Sequence, residues 1–323
     1  MITSLLLLSA GLQKKPAPIE LHRRYALGEK LSYAVKASYT DEARAGTQIT
    51  FFPTDVEQAY TFTIDVLKLK NDGFAELRYK RPTLKFTIGD TVERGPQSRK
   101  IPLNWNLLMT ASPLNEPTDV IDQTPKPKTP ARWMRPMLPQ ADGAILAILS
   151  QVIGEIQSLS FFVGSFDVSL DLAPKLPVEA VSPGDTWKRT VGFAPQRLKG
   201  EAKKQANQRL DYTYTYVGVV TVGKTKVHRV TAALALKTDI ADFGRQMAGD
   251  RADIFTKAPV TLDANISYDL DLNTRHTIRA TATSKNTIQL FVKGLTAPIQ
   301  ESRANGTTTL SLLSRTVGKS PKK

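Results

Sequence analysis

One stretch of the chain departs from the rest. Residues 141–160, ADGAILAILSQVIGEIQSLS, place Ala144, Ile145, Ile148, Leu149, Val152, Ile153, Ile156 and Leu159 within about half of a helical wheel, a sustained helical period. Asp142 can accept the free N–H groups of the first turn, and Pro139 stops any helix arriving from upstream. The opposite face carries Ala147, Ser150, Gly154 and Ser158, with Glu155 the one charge inside the helix. Small residues where a surface helix would carry Lys and Glu imply close contact on both sides. The stretch is too short and polar for a membrane span of roughly 20 apolar residues. Most of the remaining chain alternates with a period of two. The fold class expected is mainly β with one central helix: a curved antiparallel sheet or half-barrel, as two matching halves packed around a buried helix.

The layout divides accordingly. Residues 1–15 read as a signal peptide, with an apolar run from Ile2 to Leu12 and small residues Ser9, Ala10 and Gly11 near a cleavage point. Gly11 stands where a lipoprotein signal would need cysteine, so a non-lipidated periplasmic or secreted bacterial protein is expected, with no transmembrane segment in the mature chain. Residues 20–140 form an N-terminal β half that includes a proline-rich loop at 112–140. The helix at 141–160 follows, then a C-terminal β half at 161–317 and a frayed basic tail at 318–323. There are no cysteines, which excludes disulfides and thiolate metal sites. Lysine and arginine number 44 against 30 aspartates and glutamates, a net +14. Residues 184–323 alone hold 23 against 11, which favours anionic partners.

The strongest hairpin runs from Tyr212 through Val222 and returns from Thr225 across Gly223-Lys224. A two-residue turn pairs Val222 with Thr225. It puts Thr213, Val217, Val219, Val230, Ala232, Leu234 and Leu236 on one face, the core candidate. Tyr212, Tyr214, Tyr216 and Arg229 fall on the other, wetter face. That row is the candidate surface-binding site, fit to stack sugars or bases; cross-strand packing within the sheet is the plainer alternative. Further turns are expected at Asn71-Asp72-Gly73, Asn273-Thr274 and Asn305-Gly306.

Nothing marks a catalytic or metal site. His22, His228 and His276 lie in separate elements without zinc spacing, and His228 suits a hydrogen-bonded core position. Asp269, Asp271 and Asn273 resemble the start of a calcium loop. Thr274 and Ala280 stand where glycine and glutamate are needed, so the three read as polar residues on a solvent face. Asp167 and Asp171 share a strand face with no sign of acid–base pairing, and no serine occupies a nucleophile elbow. No cofactor is expected.

A faint duplication runs through the chain. Gly28 precedes Tyr60-Thr61-Phe62-Thr63 by 32 residues, and Gly184 precedes Tyr212-Thr213-Tyr214-Thr215 by 28. Leu176-Pro177-Val178 leading to Pro183-Gly184-Asp185-Thr186-Trp187 resembles the recurring element of a group of exported bacterial β-rich proteins of unknown function, a proline–valine approach to a G-D-x-W turn. The match covers about a dozen residues, with looser similarity over 170–295. The resemblance implies export and a β fold, and supplies no site. The general plan is also similar to periplasmic lipoprotein carriers. The expected function is an exported, non-catalytic cell-envelope protein that binds a partner or an anionic surface such as an envelope polymer or lipid, and no nucleic acid. The alternatives are a periplasmic carrier of an apolar ligand and a secreted polysaccharide-active enzyme.

Overall fold

The computed structural model describes residues 17–46, 48–89, 95–125, 173–193, 208–242, 245 and 255–318. Their architecture is one curved, unclosed antiparallel sheet of twelve strands. The N-terminal half supplies β1 (Glu29–Ala45), β2 (Phe52–Leu69), β3 (Ala75–Ile88), β4 (Gln97–Ala111) and β5 (Pro117–Asp122). The C-terminal half supplies β6 (Thr186–Phe193), β7 (Gln208–Val222), β8 (Thr225–Asp239), β9 (Phe255–Lys257), β10 (Pro259–Leu270), β11 (Thr277–Val292) and β12 (Gln300–Val317). Each half is a meander, and the halves join where β1 pairs with β12. The short β9 pairs with β11 beyond the start of β10. The central helix, the signal peptide, the strand expected at 161–172 and the Asp167/Asp171 pair lie outside the described residues.

Alternation in sequence becomes two faces in space. In β1, Leu31, Tyr33, Val35, Ala37 and Tyr39 are buried, while Lys30, Lys36 and Ser38 point outward. Eight of the nine tyrosines are buried to 5% exposure or less. They form, with Phe62 and Trp105, an aromatic lining on one face. Tyr33 stacks on Phe62 at 5.0 Å and Phe62 on Tyr79 at 5.1 Å; Trp187 stacks on Tyr214 at 5.5 Å. Such contacts add about 0.5–1.5 kcal/mol per pair beyond the area they bury.

The curvature shows in how the sheet's edges meet. β5 and β6 stand at opposite ends of the strand order, yet Arg189 of β6 lies 3.4 Å from Glu116, the residue before β5. Residues 174–176 are wedged between them. Leu176 N–H donates to Leu114 O and the Asn115 amide donates to Pro174 O. The Lys175 ammonium donates to Asn115 O, and the Trp187 indole donates to Lys175 O at 2.8 Å. Residues 17–28 cross the same narrow end. Ile19 bridges to Val181, Arg23 N–H donates to Pro113 O and Arg24 N–H to Thr274 O. This end is drawn together by both segments.

Three sequence expectations need correction. The Tyr212–Tyr216 hairpin does pair Val222 with Thr225, but a β-bulge between Tyr216 and Gly218 shifts the register. One inserted residue reverses the faces above it. Tyr212, Tyr214 and Tyr216 therefore oppose Leu234, Ala232 and Val230 and are buried, and Val217 in the bulge is exposed; Val219 keeps its expected partner His228 but is exposed as well. Asn305-Gly306 is no turn; it lies inside β12, where Gly306 opposes Tyr39. Within the proline-rich loop, Pro117–Asp122 is an edge strand, a position where proline's missing N–H is tolerated. The turn at Asn71–Gly73 is present, with Asp72 at φ 57° and Gly73 at φ 76°.

Candidate binding sites on the two faces of the sheet

The candidate row Tyr212, Tyr214, Tyr216 and Arg229 is not brought together. The three phenols belong to the buried face, where burial pushes Tyr214 well above the usual phenol range. Tyr216 OH meets His228 Nδ1 at 2.8 Å, so His228 is a hydrogen-bonded core residue. Arg229 points the other way and donates to Asp269 at 2.8 Å; Arg279 grips the second oxygen of the same carboxylate. Asp269 is thus buried between two guanidiniums instead of facing solvent freely. Asp271 is tied to its own turn, accepting from the N–H groups of Asn273 and Thr274 and from the Thr274 hydroxyl.

The buried face also holds a group that the tyrosine pattern obscured. Arg81 is fully buried, with its guanidinium 3.9 Å from the Tyr60 ring and 4.4 Å from Trp105, and it donates to the Tyr79 hydroxyl at 2.8 Å. Its spacing from Tyr79 in an alternating strand was the available signal. Cation–π contacts of this kind are worth about 2 kcal/mol when desolvated.

At the narrow end this face leaves a pocket of about 80 Å³ lined by Leu31, Tyr33, Ile64, Leu77 and Met109, with Arg23 and His276 at its polar side. Ligand pockets run to roughly 300–1,000 Å³, so this one is closed to a lipid chain. Beside it, Glu29 is wholly buried between Arg23 at 2.5 Å and Arg315 at 2.7 Å. Burial opposes its ionisation, but the two guanidiniums more than offset that and hold its carboxyl below the usual range. Burial raises Tyr25 to about 12 and lowers His276 to about 4, so both are neutral near pH 7.

The convex face offers a larger site. A shallow depression of about 440 Å³ crosses β3, β2, β1 and β12. One cross-strand row reads Lys85, Ala59, Lys36 and Thr309; the next reads Thr61, Ala34 and Ser311. Small side chains make the floor, hydroxyls supply donors, and two lysines flank Ala59. Strand spacing sets their backbones roughly 10 Å apart. Glu57 lies 3.6 Å from the Lys36 ammonium, and both side chains are more than half exposed, so water screens the pair.

Among the described residues, no cluster of metal-ligating side chains is present, and no helix is long and apolar enough to cross a membrane.

No family model matches the chain, and no curated protein matches it. Among solved structures it is similar to lipovitellin, in a structure titled for lipid–protein interactions, at 11% identity and TM-score 0.39 over 93% of this chain. It spans 26% of the lipovitellin chain. It is also similar to a DUF1329 family protein from Desulfovibrio piger (9% identity, TM-score 0.15, 89% of this chain and 87% of that one). A third is the COG4313 outer membrane channel from Pseudomonas putida F1 (10% identity, TM-score 0.24, 90% and 98%). Likeness at these levels assigns no activity.

Proposed function

We propose that the chain is an exported, non-catalytic protein of the bacterial cell envelope that docks on an anionic partner, an envelope polymer or lipid surface, through its convex face. The depression flanked by Lys36 and Lys85 carries this reading: it has a ligand's volume, a floor of small residues, and two lysines that can meet a chain bearing negative charge. The net charge of +14 supplies the long-range attraction. The test is co-sedimentation with phosphatidylcholine vesicles with and without phosphatidylglycerol, and with an acidic polysaccharide, at low and high salt. Adsorption is expected only to the anionic surfaces, weakening as the screening length falls below about 8–10 Å. The Lys36→Ala/Lys85→Ala variant should bind several-fold more weakly. Absence of adsorption at low salt sinks the proposal.

The narrow-end pocket favours a second reading, a carrier of an apolar ligand. Its lining is apolar, but holding a lipid would require residues 17–28 and 173–182 to move aside. Native mass spectrometry of freshly isolated protein separates the two: stoichiometric lipid makes the carrier reading the better one.

A further inference from the structure

We propose that the narrow end holds a site for a single oxyanion, a phosphate or carboxylate group, bound by Arg275. This residue sits in the turn between β10 and β11 at φ 61°, a conformation that a long side chain adopts only under constraint. It is 8% exposed, and its Nε and Nη1 atoms are buried without a hydrogen-bond partner. A buried, charged donor pair lacking acceptors is what a binding site for an absent anion looks like.

The surroundings reinforce this. Arg24 is drawn beside the turn by its N–H bond to Thr274 O, and its charge adds to that of Arg275. Asp271 is the opposing carboxylate of the cluster, but its Oδ1 is taken up by Asn273 and Thr274. Tyr216 and His228 complete the cluster, sharing a hydrogen bond at 2.8 Å; burial and then the charge of Arg275 lower His228 to about 4, so its ring is neutral near pH 7. Two arginines thus face one carboxylate and neutral rings, an excess of one positive charge. An arriving oxyanion would accept from the guanidinium fork as Arg–carboxylate and Arg–phosphate pairs do. This site does not depend on the convex depression, from which it is separate.

The full chain, in chloride buffer of matched ionic strength, is titrated with sodium phosphate and with acetate while heat and melting temperature are followed. Saturable one-to-one binding of at least one of them is expected. Arg275→Gln should bind at least tenfold more weakly, yet melt at or above the wild-type temperature without anion, because an unpaired buried charge has gone. Lys226→Gln, which removes an exposed charge from the β7–β8 hairpin, should bind as wild type. Vesicles with and without phosphatidic acid then compete for phosphate. Competition identifies a lipid headgroup and its absence a soluble anion, and either supports the site. No saturable binding of either anion, equal loss in Lys226→Gln, or a lowered anion-free melting temperature for Arg275→Gln overturns it.

Discussion

Gly306 lies directly against Tyr39 across the seam between β12 and β1: a β-carbon there would stand 2.3 Å from Tyr39 Cβ and 2.5 Å from Ser38 O. Carbons do not approach so closely, and the obstacle is partly backbone, so the strands would have to part. Gly306→Ala should therefore destabilise by about 1–3 kcal/mol, although alanine suits strands no worse than glycine does. Denaturant unfolding measures this; an unmoved midpoint would show that the seam has slack.

Glu29 pairs with two arginines at once. Replacing it with Gln leaves Arg23 buried beside a neutral amide, and breaking a buried pair this way costs about 3–5 kcal/mol. The pH dependence follows from its depressed folded value. The stabilisation is fully present above the unfolded carboxyl value of about 4.3 and is lost as pH falls through the lower folded value. Wild-type protein should lose stability steeply below about pH 4, and Glu29→Gln should lack that component. Equal acid sensitivity in both would refute the assignment.

His228 and His276 act at milder pH. Burial is the main cause in each, followed by Arg275 for His228 and Arg23 for His276, and both are lowered to about 4 from 6.5. Between these values the unfolded chain takes up protons that the fold refuses, so stability should fall as pH drops from 6.5 towards 4, by up to about 3 kcal/mol per histidine. His276→Gln should flatten the slope of unfolding midpoint against pH in that window. A slope unchanged by the substitution would mean the ring titrates normally.

The bulge in β7 yields a paired prediction. Gly218 has φ 118°, and a β-carbon there would meet Pro183 at 3.3 Å. Gly218→Val should cost about 1–3 kcal/mol through backbone strain. Its neighbour Val217 is exposed, so Val217→Ala should stay within about 0.5 kcal/mol. Comparable losses in both would place the bulge elsewhere.

That bulge also marks where the sequence ceased to be readable. Alternation identified most strands, and the turn residues of Asn71–Gly73 and Gly223-Lys224 placed their reversals correctly. The face of the tyrosine row depended on a single inserted residue, whose signal was the glycine at 218 within a valine-rich strand. Gly306 misled in the opposite sense, since Asn-Gly signals a turn locally while here a tyrosine from a strand 267 residues earlier requires the glycine. Gly28 and Gly184 both take positive φ just before β1 and β6, and Tyr60, Phe62, Tyr212 and Tyr214 are all buried. The Arg275 cluster was not legible, because it gathers groups from residues 24, 216, 228 and 271 that only the pairing of β7, β8 and β10 and the crossing of residues 17–28 bring together.

The β1–β12 seam has a consequence for how the molecule is made. Glu29 pairs with Val317, so one central contact of the sheet joins residues 288 positions apart in the chain. Until residues 300–317 are synthesised, β1 and β11 each present a bare edge capable of recruiting strands from other chains. Closing so distant a pair is slow. A nascent chain would therefore need shielding until β12 was made, and loss of that one strand would leave two sticky half-sheets in place of one slightly smaller protein.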